Sequence, residues 1–262
     1  LGCDIGGTFT DFVLVDDATG AFQTNKCLTT PQDPSIAVAR GIDEMARRLG
    51  AFMPRVKEII HGTTLVINAI IERKGAKTAL LTTRGFRDVL ELGREIRYDA
   101  YDIFAEYPAP LVPRYLRCEV TERIAGDGRV LQDLDMQEAA DTVAALAADG
   151  VESMAVCLIN SFENPIHEKQ LKAWIASTFP ALSLSISYEV LPQIREYERT
   201  STTVTNAYVK PITSRYLEKL AARLASLGFD GKLYIMLSSG GITSVDTAKA
   251  FPVRIIESGP TA

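Results

Sequence analysis

The alternation of short apolar runs with amphipathic segments most constrains the fold of this chain. Apolar runs such as 153–158 and 232–237 predict buried strands. Between such runs lie segments with apolar residues at helical spacing, the clearest of which begins at Pro34 and ends at Gly50. Strands that alternate with helices are typical of α/β proteins. We therefore predict an α/β fold.

Two further patterns predict particular elements. Residues 120–124 and 129–131 flank an Ala-Gly-Asp-Gly sequence, which favours a β-hairpin. Residues 200–209 predict one helix. A separate helix is predicted to follow it from four leucines in register, namely Leu217, Leu220, Leu224 and Leu227.

Composition and charge exclude several classes of protein. The formal net charge is −5 and the basic residues are scattered, so the chain lacks the basic face of a nucleic-acid-binding protein. Its apolar runs are far shorter than the roughly 18 residues that a membrane helix needs. The four cysteines form no C-x-x-C pair, and two histidines are too few for a His-rich zinc site. We expect a cytoplasmic protein with buried, reduced thiols that binds neither nucleic acid nor membrane.

The sharpest local motif is Asp-Ile-Gly-Gly-Thr-Phe-Thr-Asp at residues 4–11. Adjacent glycines allow a tight turn whose N–H groups come close to a ligand, and the threonines add hydroxyl donors for phosphate oxygens. Carboxylates beside such a site suit Mg²⁺ held through its water. The motif lacks the Lys-Ser/Thr of a P-loop and the spaced glycines of a dinucleotide turn. It is therefore either a phosphate-binding β-hairpin or a glycine turn capped by polar residues.

Four segments, in order, resemble the hydantoinase/oxoprolinase family. They are DIGGTFTDFVLVD, HGTTLVINAIIERKGAKTALLTTRGFRDVLELGR, LPQIREYERTSTTVTNAYVKP and MLSSGGITSVDTAKAFPVRIIESGP. The first also resembles the first phosphate hairpin of actin-like and sugar-kinase-like ATPases. The resemblance covers nearly the whole chain. It implies the first lobe of an actin-like, ribonuclease H-like ATPase, with an inserted α+β region.

The resemblance implies ATP-dependent hydrolysis of a cyclic amide such as hydantoin, N-methylhydantoin or 5-oxoproline. Phosphorylation of the amide oxygen would make that oxygen a leaving group. The implied cofactors are ATP and Mg²⁺, and the implied partner in an oligomeric enzyme is a second subunit of the hydantoinase B type. Mg²⁺ would lie at Asp4, bound through water. The residues implied to bind the nucleotide and its metal are Asp4, Gly6, Gly7, Thr8, Thr10 and Asp11.

A second candidate group lies where a predicted strand runs into a helix at residues 61–68. Free N–H groups at a helix N-terminus suit an anion or a polar substrate, and His61 can act as an acid or base near pH 7. A Thr N-cap beside a hydrogen-bonded structural histidine fits the same residues. With the family resemblance, His61, Thr63 and Asn68 are predicted to be catalytic. The other histidine, His167, is predicted to lie at the surface.

Further residues are predicted at the substrate cleft. A tyrosine-rich segment with Arg94, Glu95 and Arg97 favours a functional lid. The mixed-sign run 195–199 is ordinarily a solvated helix start, but it falls in a family motif. The predicted cleft residues are Thr64, Arg94, Glu196 and Arg199. The Ser-Ser-Gly-Gly sequence at 238–241 lacks a flanking acid and is predicted to be a turn.

The resemblance divides the chain into an N-terminal family domain at 1–190 and the start of a main domain at 191–262. Actin-like ATPases carry a second phosphate hairpin in a second lobe, and no second Asp-x-Gly-Gly-Thr occurs here. We therefore expect the second lobe to be largely absent and this piece to be inactive by itself. Two alternatives remain: a subunit of an ATP-dependent ketone carboxylase of the acetone or acetophenone type, and a non-catalytic nucleotide-binding module.

Overall fold

The computed structural model describes residues 1–30, 32–94, 101–102, 104 and 106–258. Its strands are β1 (Gly2–Ile5), β2 (Phe9–Val15), β3 (Phe22–Leu28), β4 (Glu58–Thr63), β5 (Thr78–Thr83), β6 (Arg117–Val120), β7 (Arg123–Ile124), β8 (Val130–Gln132), β9 (Ser153–Cys157), β10 (Ser183–Ile186), β11 (Lys232–Met236) and β12 (Ile242–Ser244). Its α-helices are α1 (Pro34–Leu49), α2 (Leu65–Ile71), α3 (Val89–Leu92), α4 (Met136–Ala148), α5 (Ile166–Thr178), α6 (Ser187–Val190), α7 (Glu196–Ser226) and α8 (Val245–Ala250). The predicted mixture of strands and helices is confirmed.

The chain forms two compact units. One comprises Leu1–Lys74 and Ile212–Ala262, and the other comprises Gly75–Pro211. The division predicted at 190 and 191 follows sequence motifs, whereas these units follow contacts in space. Within the described part of the chain, no helix has both the length and the hydropathy that crossing a membrane requires.

The first unit is built on a six-stranded mixed sheet with the order β12-β11-β4-β1-β2-β3. Strands β1, β4 and β11 are parallel, while β2 is antiparallel to β1 and β3, and β12 is antiparallel to β11. The carboxyl ends of the three parallel strands therefore meet at one edge of the sheet. The chain continues there into the glycine turn, α2 and the turn at 237–241, at the kind of edge where ligands bind in α/β sheets.

Helix α1 packs on β2 and β3 and begins and ends as its sequence predicts. The Asp33 side chain accepts a hydrogen bond from the backbone of the first turn, Pro34 occupies the first turn, and Gly50 follows with φ of 75°. Gly41 is required by close packing, because a Cβ there would lie 2.2 Å from the Phe12 ring. The buried apolar residues of the helix include Val38, Ile42 and Met45.

The second unit contains a four-stranded parallel sheet with the order β10-β9-β5-β6. Its central strands β5 and β9 are buried along their whole length, which explains the apolar residues in the middle of each. The predicted hairpin is confirmed as β7 and β8, although Val120 ends the separate strand β6. The core of this unit includes Leu80, Leu81, Val143, Met154, Val156, Leu171 and Ile175.

Helix α7 is continuous from Glu196 to Ser226, so the prediction of two separate helices was wrong. Pro211 lies inside this helix and cannot donate a hydrogen bond to the carbonyl oxygen of Ala207. The Ser153 hydroxyl donates to that oxygen instead, at 2.7 Å. The next carbonyl oxygen, of Tyr208, accepts from the backbone N–H of Ala76 at 3.0 Å. Donors from outside the helix thus satisfy carbonyls around the proline.

Candidate functional site

The glycine turn at residues 6–8 joins β1 to β2 at the carboxyl edge of the first unit's sheet. The backbone N–H of Gly6 donates to the Phe9 carbonyl at 2.9 Å and closes the turn. Gly7 and Thr8 are exposed. Among the described residues, no hydrogen bond uses the N–H of Gly7, the N–H of Thr8 or the Thr8 hydroxyl. The turn therefore presents two backbone donors and one hydroxyl to a ligand.

Thr29, at the end of β3, supports this turn from below. Its backbone N–H donates to the Thr8 carbonyl at 2.9 Å, and its hydroxyl donates to the Gly6 carbonyl at 2.9 Å. The Thr10 hydroxyl lies 3.0 Å from the Thr29 hydroxyl, and Thr10 is fully buried. The structure thus places Thr10 beneath the turn and not beside the exposed donors.

Asp4 and Asp11 lie directly opposite each other on β1 and β2. Oδ1 of Asp4 is buried and has no hydrogen-bond partner among the described residues. Burial, followed by the charge of Asp11, raises the pKa of Asp4 above its ordinary value. Asp11 is exposed, and its Oδ1 lies 2.9 Å from Nζ of Lys26. Among the described residues, Asp4, unlike Asp11, thus has no cationic side chain as an ion-pair partner.

This arrangement fits a hydrated divalent cation at Asp4. Carboxylate oxygens are preferred ligands of Mg²⁺, which usually keeps several waters. No group of three or more His, Cys, Asp and Glu side chains within the described ranges is placed to hold a metal. A cation at Asp4 would therefore take its remaining ligands from water and from phosphate oxygens.

His61 lies in the core face of the sheet and is 1% exposed. Burial lowers its pKa to about 4, so the ring is neutral at pH 7. Nδ1–H donates to the Cys3 carbonyl at 3.0 Å, and Nε2 accepts from the Tyr216 hydroxyl at 2.7 Å. Burial also raises the pKa of Tyr216, which keeps its donor proton. The catalytic role of His61 stays a prediction, and this geometry favours a role in joining β1, β4 and α7.

The first N–H groups of the segment leading into α2 have partners inside the unit. The Thr63 N–H donates to the Ser258 hydroxyl at 3.2 Å, and that hydroxyl donates to the Thr63 carbonyl at 2.8 Å. The Thr64 N–H donates to the Ile5 carbonyl at 3.0 Å, and the Leu65 N–H donates to the Thr63 hydroxyl at 3.1 Å. These contacts do not favour the expected anion site at this helix start.

Thr64 and Asn68 are half-buried. Nδ2 of Asn68 donates to the Thr64 hydroxyl at 3.3 Å, and that hydroxyl donates to the Ile5 carbonyl at 3.2 Å. Both side chains therefore lie next to the end of β1, one residue before the glycine turn. The structure brings them together with that turn at the same sheet edge.

The other predicted cleft residues, Arg94, Glu196 and Arg199, belong to the second unit. Nε of Arg94 lies 2.6 Å from Oε1 of Glu198 on the surface of that unit. Glu196 is half-buried at the first position of α7, and Arg199 is 1% exposed. The mixed-sign run is therefore not simply a solvated helix start.

Some residues of the predicted features lie outside the described residues. They are Glu95 and Arg97 of the predicted lid, and Gly259 and Pro260 of the last family motif. The prediction of a surface position for His167 was wrong. This side chain is 3% exposed, and its Nδ1 lies 2.8 Å from Oε2 of Glu122. A polar side chain at a helix start was expected to face solvent. His167 is buried instead, because the buried carboxylate of Glu122 is its hydrogen-bond partner.

The turn predicted at 238–241 is confirmed. The Leu237 N–H donates to the Gly241 carbonyl at 2.7 Å, and Gly240 has φ of 87°. The four cysteines are unpaired thiols, as expected, and burial raises the pKa of each.

Comparison with known proteins decides the family. A model of the hydantoinase/oxoprolinase N-terminal region matches residues 1–179, and a hydantoinase/oxoprolinase model matches residues 199–262. The chain belongs to the hydantoinase/oxoprolinase family. The predicted family resemblance is thereby confirmed.

Two relatives show how much of a family member this chain represents. Caprolactamase subunit alpha of Pseudomonas jessenii is 36% identical over 268 residues, covering 100% of this chain and 38% of the relative. Acetophenone carboxylase gamma subunit of Aromatoleum aromaticum is 33% identical over 279 residues, with the same coverages of 100% and 38%. The crystal structure of ATP-dependent caprolactamase from P. jessenii matches with a TM-score of 0.92, over 99% of this chain and 38% of that one. The chain thus spans 38% of the length of these relatives.

In this hydantoinase/oxoprolinase family member, sequence reasoning missed three residues that hold the candidate site together. They are Thr29 under the glycine turn, Tyr216 on His61, and Ser258 on Thr63. Tyr216 and Ser258 reach their partners over 155 and 195 residues of sequence. The only local signal was a polar residue directly after β3, at Thr29.

Proposed function

We propose that this chain is the nucleotide-binding part of an enzyme that couples ATP cleavage to the hydrolysis of a cyclic amide. Two features found together carry the proposal. Gly7 and Thr8 present exposed donors, and Oδ1 of Asp4 has no hydrogen-bond partner among the described residues. Donors for an anion beside an acid for its cation suit a metal–nucleotide complex. The mixed sheet of the first unit, with an antiparallel hairpin leading into parallel strands, supports its assignment as the first lobe of an actin-like ATPase.

The residues of the turn have separate roles in this proposal. Gly7 and Thr8 bind the terminal phosphate oxygens through their N–H groups and the Thr8 hydroxyl. Asp4 holds Mg²⁺ through a water molecule. Gly6 and Thr10 shape and support the turn, and Asp11, which is engaged by Lys26, contributes mainly through its charge.

Bound ATP would supply a phosphoryl group that makes the amide oxygen a leaving group. The chain contributes positioning and charge neutralisation, which dominate phosphoryl transfer. Thr64 and Asn68, half-buried next to the turn, orient a polar group of the substrate. His61 holds β4 against β1, and the Thr63 hydroxyl accepts from the Leu65 N–H at the start of α2.

The cyclic amide is supported by the family and by the 36% identity to a caprolactamase subunit, since a lactam is a cyclic amide. That relative is a subunit, which supports a second subunit of the hydantoinase B type as the partner of this chain. The 33% identity to an acetophenone carboxylase subunit supports a second candidate, a subunit of an ATP-dependent ketone carboxylase. The same nucleotide site would then activate a carbonyl compound for carboxylation.

Oxygen transfer tests the proposed chemistry. The full-length protein with its second subunit is given ATP and a cyclic amide labelled with ¹⁸O at the carbonyl. The proposal predicts one ¹⁸O atom in the released phosphate for each ring opened, because the amide oxygen leaves with the phosphoryl group. Label retained entirely in the carboxylate product would contradict it.

A further inference from the structure

The carboxyl ends of the second unit's strands carry a buried polar network centred on Arg199. Nη1 of Arg199 lies 2.7 Å from the Leu158 carbonyl oxygen, 2.5 Å from the Ser161 hydroxyl and 2.8 Å from the Ser187 hydroxyl, so its two N–H groups are shared among three acceptors. Leu158 and Ser187 directly follow the strands β9 and β10. Three acceptors around one nitrogen fix the orientation of the guanidinium plane.

The nearby carboxylate in this network does not pair with Arg199. Glu168 is fully buried and accepts from the Ser187 hydroxyl at 2.7 Å, the Leu158 N–H at 2.8 Å and the Tyr188 N–H at 3.0 Å. Ser187 therefore stands between the guanidinium and the Glu168 carboxyl group, whose pKa is raised by burial. Across the described ranges, no carboxylate lies within ion-pair distance of Arg199.

The opposite edge of the guanidinium has no partner. Nε and Nη2 of Arg199 are both buried, and neither makes a hydrogen bond among the described residues. Buried arginine donors without acceptors are costly and are normally paired. Nε–H and Nη2–H are the two parallel donors that match the two oxygens of a carboxylate. The half-buried Phe162 ring lies 5.6 Å from the guanidinium carbon.

We propose that the Nε/Nη2 edge of Arg199 binds a planar, singly charged oxyanion, either the carboxylate of a small organic acid or bicarbonate. Both ligands offer two oxygens in one plane to the two parallel donors. A single negative charge neutralises the guanidinium, whereas a phosphate dianion would leave uncompensated charge beside Glu168 in a buried site. The network lies wholly within the second unit, and the proposal does not depend on the nucleotide site.

Calorimetric titration of the full-length protein, without nucleotide and at constant ionic strength, tests this site. The probes are acetate, bicarbonate, phosphate and chloride. We expect saturable binding of acetate or bicarbonate, at least about tenfold tighter than binding of phosphate or chloride. Acetate alone would identify an organic acid as the ligand class, and bicarbonate alone would identify that ion. Equal binding of all four anions would overturn the proposal.

Arg199→Lys keeps the charge but removes the parallel pair of donors, so we expect binding to weaken at least about tenfold. Arg117→Lys is the matched control in the same unit. Arg117 is 2% exposed, but its Nε and Nη2 already donate to the Val112 carbonyl and to Glu91. This control should bind like the wild type. Unchanged binding in a folded Arg199→Lys variant would overturn the site.

Ser161→Ala covers the case in which Arg199→Lys does not fold. It removes one acceptor of Nη1 and leaves the guanidinium in place, so the donor edge is less firmly oriented. We expect a loss of affinity of about two- to fivefold. Wild-type affinity in Ser161→Ala would contradict the proposed role of the network.

Discussion

At Asp4, the folded chain holds a carboxylate oxygen away from water without a hydrogen bond. Burial raises its pKa, which means that folding favours the protonated form. Protonated Asp4 therefore contributes to the stability of the folded chain at low pH, and this contribution is lost as pH rises through the raised pKa. We predict that Asp4→Asn raises Tm at pH 7 and weakens binding of Mg-ATP at least about tenfold.

The control for Asp4 is Asp11→Asn, on the opposite strand. Asp11 is exposed and engaged by Lys26, so its loss should change Tm little and should weaken Mg-ATP binding less than Asp4→Asn does. Calorimetry and thermal unfolding of the three proteins give both quantities. Equal affinity for Mg-ATP in Asp4→Asn and the wild type would refute the metal role of Asp4.

His61 makes folding sensitive to acid. Its pKa is lowered from 6.5 to about 4 by burial, so the neutral ring contributes stability above the unfolded pKa. That stability is lost as pH falls from 6.5 towards 4. Between pH 7 and pH 5, we predict a loss of about 2 kcal/mol in the free energy of unfolding from this residue.

His61→Asn measures the contribution of the imidazole to this pH dependence. An asparagine amide can still donate to the Cys3 carbonyl, but it does not titrate. Urea unfolding at pH 7 and pH 5 should show a smaller loss of stability in the variant than in the wild type, by about the same 2 kcal/mol. The same loss in both proteins would assign the effect to other groups.

At the scale of elements, α7 depends on a contact that replaces a helical hydrogen bond. The Ser153 hydroxyl donates to the Ala207 carbonyl, which Pro211 leaves without its usual donor. We predict that Ser153→Ala costs about 1 kcal/mol in the wild type. In a Pro211→Ala background the cost should be near zero, because the new N–H at 211 can donate to Ala207.

A double-mutant cycle by urea unfolding measures this coupling. The single variants, the double variant and the wild type should give an interaction energy of about 1 kcal/mol. An additive cycle would show that the Ser153 hydroxyl does not compensate for the proline.

Local patterns predicted the elements whose signals are local. Helix α1 has a cap, a proline, a periodic apolar face and a terminal glycine within one segment, and its bounds were predicted. Helix α7 was divided in two because nothing in its own sequence reveals that Ser153 and Ala76 supply donors near Pro211. The strand β6 was missed, since only its last residue, Val120, lies in the segment 120–124 that was assigned to the hairpin.

At the scale of the whole molecule, the chain leaves the first unit after Lys74 and returns to it at Ile212. A single sequence does not show which distant segments share a core, so this division was not predicted. The same reason explains which residues of the candidate site were predicted and which were missed. The glycine turn is a continuous motif, whereas Tyr216 and Ser258 reach it only through the fold.

The measurement that most directly tests the proposed function is ADP release by the full-length protein with its second subunit. The substrates are cyclic amides and ketones, each with and without bicarbonate. We predict that a cyclic amide stimulates ADP release without bicarbonate, with one ADP for each ring opened. Release that requires a ketone and bicarbonate would contradict the amidohydrolase and favour the carboxylase. Bound ATP without turnover on any substrate would indicate a nucleotide-binding module.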